Sequence, residues 1–197
     1  MKIGVYGSAL GGINDQLVAA ARNLGTVIAS RRHTIVMGAC PGLPYEAVLG
    51  AQEYSHGQTR VIGYSPGVDL QDHQQRFNFP ADGITKFKFL PEEYKTREKA
   101  VCLKLRNVFS VEACDAAIFV SGRIGTMNEF TIAYDVGRNI GLLCGTGGFT
   151  DRARELVDAL GKPSESIIVE RSSPLQLVAE LERFHREKQV QDQIKNL

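Results

Sequence analysis

The sequence predicts an α/β protein: a parallel sheet with helices on both faces, built as one domain spanning residues 1–197. Three observations point there. Short apolar runs rich in β-branched residues alternate with helical patterns along the chain, the mark of successive strand–helix units. Several of those runs break directly into small or glycine-rich loops, as strands do at the ligand-binding edge of such sheets. A length of 197 residues suits one domain with a substantial core.

The first strand is read at Ile3–Tyr6, followed by the loop Gly7-Ser8-Ala9-Leu10-Gly11-Gly12. This is not a true G-x-G-x-x-G, so a dinucleotide is not specifically implied. Asn14 or Asp15 caps a helix whose Leu17, Ala20, Ala21, Leu24 and Ile28 form one apolar face. Thr34–Met37 is the second strand, with a small-residue loop, Gly38 to Pro44, behind it and a helix from about Tyr45 to Ser55. Arg60–Ser65 reads as the third strand. The polar stretch from Pro66 to Gly83 is expected to form a long loop, a lid or excursion at the site, and its His73 to be a solvated loop histidine.

Thr85–Leu90 alternates polar and aromatic residues, as a half-exposed strand does. Pro91 opens a helical region to about Ala113, in which Val101, Leu105, Val108 and Phe109 share the apolar face. Arg106 lies beside that face, placed either to reach a cleft or to make a surface ion pair. Ile118–Val120 is a buried strand that breaks into Ser121-Gly122-Arg123-Ile124-Gly125-Thr126, with a helical pattern from Met127 to near Gly137. Glu129, three residues beyond Thr126, also fits a capping box. Ile140–Cys144 forms a further strand, and Gly145–Gly148 behind it reads as a flexible connection. Thr150 or Asp151 starts a helix to about Leu160, Ser166–Glu170 is the last strand, and Ser173-Pro174 opens a C-terminal helix with an exposed polar end from Arg186 to Leu197.

Composition excludes several classes. Lys+Arg of 23 against Asp+Glu of 22 leaves a net charge of +1 without a long basic block, so nucleic acid is not indicated as a partner. No apolar run approaches the roughly 18 residues of a membrane span, and the N-terminus reads as a strand rather than a signal peptide. Cys40, Cys102, Cys114 and Cys144 form no C-x-x-C pair, which suits reduced thiols and a cytoplasmic address. No His, Cys or carboxylate cluster has ligand spacing, so no metal or other cofactor is expected.

Three small or glycine-rich loops at one sheet edge favour a phosphorylated ligand. Free backbone N–H groups and the positive end of a helix dipole hold anions there. The candidate phosphate- or nucleotide-binding residues are Gly7, Ser8 and Gly42, together with Ser121, Gly122, Arg123, Gly125 and Thr126. Gly122 and Gly125 allow close approach or positive φ, and Thr126 offers either a helix cap or a hydroxyl to phosphate.

These motifs resemble the LONELY GUY (LOG) family, phosphoribohydrolases often mislabelled lysine decarboxylases. The family's Pro-Gly-Gly-x-Gly-Thr-x-x-Glu falls on Ser121 to Glu129, and its Arg-Lys pair on Arg106-Asn107, with Asp115 at the expected spacing between them. Gly38 to Leu43 resembles the family's Gly-Gly-Gly-x-x-Gly-Leu loop, Val61 to Pro66 its strand ending in Pro, and Ile3 to Ser8 its opening segment. The resemblance implies a Rossmann-like, doubly wound fold and a homodimer or higher homo-oligomer. It also implies cleavage of a nucleoside 5′-monophosphate such as AMP to free base and ribose 5-phosphate, with Arg106 and Glu129 at the catalytic positions. No lysine is marked as a Schiff-base residue, so lysine decarboxylation is rejected. Ser121, Arg123 and Asn107 depart from the pattern, and they motivate a second expectation: a non-catalytic carrier or sensor of a phosphorylated ligand, like molybdenum-cofactor carriers.

Overall fold

The computed structural model describes residues 1–9 and 11–195; Leu10 of the first glycine loop and residues 196–197 of the polar C-terminal end lie outside the described residues. The strands are β1 (Lys2–Gly7), β2 (Thr34–Met37), β3 (Val61–Tyr64), β4 (Lys86–Lys88), β5 (Ala116–Val120), β6 (Asn139–Leu143) and β7 (Ile168–Arg171). They form one sheet in the order β4-β3-β2-β1-β5-β6-β7, and each neighbouring pair is parallel. The helices are α1 (Asp15–Ser30), α2 (Leu43–Ser55), α3 (Leu70–Gln75), α4 (Lys99–Glu112), α5 (Ile124–Asp135), α6 (Ala153–Leu160) and α7 (Pro174–Lys195). The doubly wound, Rossmann-like α/β fold expected from the sequence is the one found.

Period-two alternation divides the core. Ile3, Val5, Ile35, Met37, Ile118 and Val120 face α1, α2 and α7, where Leu24, Ala47 and Leu177 complete a buried cluster. Tyr6, Val36, Ala117 and Phe119 face the other way, against Val111 of α4, Phe130 and Ala133 of α5 and Ala153 of α6. Strands buried on both faces read as continuous apolar runs, which is why Ile118-Phe119-Val120 marks β5 in the sequence; the strand itself begins two residues earlier, at Ala116. Asp115 ties the two central strands: Lys2 N donates to its Oδ2 at 2.7 Å, and Asp115 N donates to Lys2 O at 2.8 Å.

Sheet order reverses between β1 and β5. Chain growth runs outward through β2, β3 and β4 on one side, and through β6 and β7 on the other. Loops leaving the carboxyl ends of β1 and β5 diverge there and open a crevice.

Four expectations are corrected. The 66–83 excursion is not an open loop: α3 lies within it, capped by Asp69, whose side chain accepts from Asp72 N at 2.7 Å. His73 is not solvated but fully buried. Helix α5 begins at Ile124, so Thr126 is inside its first turn and no capping box forms; Arg123 holds the cap position without a side-chain cap bond. The fourth correction concerns α4, which presents the opposite face. Cys102, Arg106, Asn107, Ser110 and Val111 point inward, while Val101, Val108 and Phe109 are more than 40% exposed.

Candidate functional site

The crevice at the switch point is a cleft of about 430 Å³, within the size range of small-molecule sites. Its walls include Gly7 and Ser8 after β1, Cys40 and Pro41 after β2, Arg123, Gly125, Thr126 and Glu129 of α5 and its approach, and Lys104, Arg106 and Asn107 of α4. Most of the residues singled out from sequence therefore meet in one place.

The loop after β5 is braced from two sides. Ser121 is buried at φ 55° and Gly122 follows at φ 106°. A Cβ on Gly122 would lie 2.5 Å from the Thr126 side chain, so only glycine fits that turn. Ser8 Oγ accepts from Gly122 N at 3.1 Å. On the far side, Ser121 N donates to Thr146 Oγ1 at 2.8 Å, Phe149 N donates to Gly122 O at 2.7 Å, and Thr150 N donates to Ser121 O at 3.1 Å. Thr150 Oγ1 also donates to Ser121 O, at 2.5 Å. The segment read as a flexible Gly-Gly connection is thus the buttress of the candidate phosphate loop. A threonine between its glycines, and another two residues past them, was the available signal.

The remaining candidates are placed as follows. Gly42, at φ 86°, is the cap residue of α2, which starts two residues earlier than expected. Its immediate role is to bring α2 against β1's loop, where Leu43 N donates to Ser8 O at 2.9 Å. Gly42 is not among the residues lining the cleft, nor are Ser121 and Gly122, which stand behind the lining. Gly125 takes no positive φ, and a Cβ there would meet nothing within 4 Å, so open cleft lies beside it. The Arg123 guanidinium reaches across toward the β1 loop, with Nη1 3.6 Å from where a Cβ of Gly11 would lie.

Arg106 is anchored rather than surface-paired. It is 5% exposed, and its Nη1 donates to Gly38 O in a short hydrogen bond. A Cβ on Gly38 would sit 1.2 Å from that nitrogen, so the glycine after β2 is the seat of the guanidinium. Its Nε has no hydrogen-bond partner among the described residues, leaving a buried cationic donor at the cleft. Asn107, where the resembling family has lysine, donates from Nδ2 to Asn128 Oδ1 at 3.0 Å and so joins α4 to α5.

Glu129 is buried at 7% exposure on the inner side of α5. Burial pushes its carboxyl up from 4.5 to about 7, against the pull of Arg106 and then Lys104. Such a group exchanges its proton near neutrality, as an acid–base residue must. Burial likewise pushes the Cys40 thiol up, with Arg106 pulling it down; a neutral thiol thus lines the cleft beside the guanidinium. Sequence reasoning did not single out Cys40, Lys104 or Phe79 as lining residues. Among the described residues no group of three His, Cys, Asp or Glu side chains is placed to hold a metal ion, and no helix is long and apolar enough to cross a membrane.

Fold, switch-point cleft and glycine loops together define a Rossmann-type α/β protein. The SLOG cluster4 family matches residues 1–178, and the chain belongs to that family. No curated protein matches the sequence. Solved structures share the fold. The structural-genomics target TM1055 superposes with a TM-score of 0.73 at 20% identity, over 92% of this chain and 98% of that one. The molybdenum cofactor binding protein of Rippkaea orientalis gives 0.67 at 19% identity, over 93% and 96%. DNA processing protein A of Helicobacter pylori, described for its single-stranded DNA binding mode, gives 0.61 at 15% identity, over 93% and 80%.

Proposed function

We propose that the cleft binds a nucleoside 5′-monophosphate such as AMP and hydrolyses its N-glycosidic bond, the activity of the LOG-type enzymes within the SLOG group. One observation carries the reading: a buried carboxylate titrating near neutrality, Glu129, shares the cleft with the anchored Arg106 and the glycine loops at the switch point. The 5′-phosphate sits at the first turn of α5, against its N–H groups and the Thr126 hydroxyl, with Arg123 adding a charge-assisted contact. Held there, the sugar is oriented toward Glu129.

Cleavage passes through a cationic, oxocarbenium-like sugar. The C1′–N bond breaks with its electron pair leaving on the base. Water oxygen bonds to C1′, ionised Glu129 takes the water proton, and that proton passes on through solvent as the departing base takes one up, which returns Glu129 to its carboxylate. The same carboxylate stabilises the sugar cation electrostatically, and Arg106 sets its orientation and charge. Incubation with a panel of nucleoside monophosphates, AMP first, tests this: free base and ribose 5-phosphate appear with the native protein, and release falls at least a hundredfold in Glu129→Gln. Intact recovery of every monophosphate would contradict it.

A second reading is a carrier or sensor of a phosphorylated ligand. It is favoured by Arg106, whose guanidinium is already tied to Gly38 O, and by Asn107, which stands where the resembling family has lysine and brings an amide, its Nδ2 on Asn128, instead of a cation. Proteins named as molybdenum cofactor carriers share the fold. Tight binding with the ligand recovered unchanged distinguishes this reading from the first.

A further inference from the structure

The cleft walls divide by chemistry. Gly7, Ser8, Arg123 and Thr126 bring N–H, hydroxyl and guanidinium groups, whereas Phe79, Ala100 and Leu103 bring apolar surface. Phe79 is the one aromatic residue among the lining residues. It comes from the 66–83 excursion, which no motif of the candidate site touches. A phosphorylated nucleoside has one flat, apolar part, and an aromatic ring is the side chain that binds such a face with little dependence on base identity.

Phe79 is held in place by its own sequence neighbours. Asn78 adopts φ 55°, a left-handed conformation that asparagine tolerates better than most residues. Pro80 confines Phe79 to extended backbone. The ring then packs edge-on to the buried His73 imidazole, with centroids 5.9 Å apart, and at the same distance from Phe77. His73 is itself fixed. Its Nε2 lies 3.0 Å from Pro80 O, a carbonyl that only accepts, so Nε2 carries the proton and Nδ1 accepts from Ser65 Oγ at 2.9 Å. Gly67 N donates to the same Ser65 oxygen at 2.9 Å. Both ring nitrogens and the hydroxyl are satisfied, and burial holds the imidazole below its usual range. A histidine so placed serves as a fixed wall for its neighbours.

We propose that Phe79 is the base platform of the cleft, the residue against which the nucleobase of a bound nucleoside monophosphate stacks while its phosphate occupies the first turn of α5. The inference rests on the nucleotide reading and specifies it: the excursion between β3 and β4 sets base affinity, and the start of α5 sets phosphate affinity. Because the platform is a ring face without a hydrogen-bonding pattern of its own, it accepts purines more tightly than pyrimidines through their larger stacking area.

Titration calorimetry with AMP and with ribose 5-phosphate, on Glu129→Gln protein so that AMP is not turned over, separates the two halves. Phe79→Ala and Phe79→Leu are expected to weaken AMP about tenfold to a hundredfold, and Phe79→Tyr to stay within about threefold of the parent. Ribose 5-phosphate, which lacks the base, is expected to bind all four proteins alike and so reports an intact fold. Equal weakening of both ligands, or an unchanged AMP affinity in Phe79→Ala, would overturn the platform and leave the nucleotide reading standing. Binding of ribose 5-phosphate but not AMP to the parent protein would also overturn the platform. Binding of neither would overturn the nucleotide reading itself and the platform with it.

Discussion

Helices α1 and α4 lie on opposite faces of the same sheet and solve opposite problems. Helix α1 buries Ala21, Leu24 and Ile28 of the apolar stripe that its spacing announces, with Val27 beside them and Leu17 and Ala20 half-buried. Helix α4 buries Cys102, Arg106, Asn107 and Ser110 and leaves Val101, Val108 and Phe109 to the outside. The first arrangement is what the hydrophobic effect favours. The second costs desolvation of a guanidinium and an amide, which Gly38 O and Asn128 Oδ1 offset only in part, since Arg106 Nε and Asn107 Oδ1 find no partner among the described residues. Inverted polarity of this kind marks the wall of a cleft rather than the floor of a core.

The comparison can be broken on either face of the sheet. The largest stability effect is expected on the α1 side, where Leu24→Ala leaves a cavity in a fully buried cluster and lowers unfolding free energy by about 3 kcal/mol in urea titration. On the cleft side, Glu129→Gln should act in the opposite direction. Raising a carboxyl from 4.5 to about 7 favours the protonated folded state. The stability it confers is present below the unfolded value near 4.5 and is lost as pH climbs through about 7. The variant, which never ionises, should therefore equal the native protein near pH 4.5 and exceed it at pH 8 by up to about 3 kcal/mol. A Glu129→Gln protein less stable at pH 8 would contradict that burial.

Gly38→Ala comes next. Its methyl group claims the space of Arg106 Nη1, so a loss of about 2 kcal/mol, typical of overpacking, is expected together with lower ligand affinity. Substituting the ordinary outward glycine Gly57, which has nothing within 4 Å of its Cβ position but a φ of 83°, gives strain without touching Arg106 and serves as the control. The smallest effect is expected for Val108→Ser on the exposed face of α4, within about 0.5 kcal/mol. A loss above about 1.5 kcal/mol there would show that the outward face is covered in solution, as in the homo-oligomer that the LOG resemblance implies.

Much of this architecture was legible. The central strands are legible because they are apolar throughout, the edge strand β4 because it alternates polar and aromatic residues, and the breaks after β1, β2 and β5 locate the crevice. Glu129 and Arg106 were reached through motif spacing. What failed were inferences that depend on a distant partner. Periodicity placed an apolar stripe on α4 but carries no sign of which stripe faces the sheet, since the partner of the inward face is a backbone carbonyl at Gly38. His73 looked solvated because its polar neighbours in sequence hide Ser65 and Pro80, which enclose it. The capping-box spacing of Thr126 and Glu129 was real, yet α5 starts at Ile124 and turns Glu129 into the cleft instead. Thr146 and Thr150 brace Ser121 across more than twenty residues, a relation that no local pattern encodes.

The most direct measurement of the central claim is the pH dependence of base release from AMP under single-turnover conditions. Glu129 must be ionised to take a proton from water, so release is expected to rise along an acid limb with its midpoint at about pH 7 and to fall at least a hundredfold, without that limb, in Glu129→Gln. A limb near pH 4.5, a profile unchanged by the substitution, or no release at any pH would contradict the assignment of Glu129.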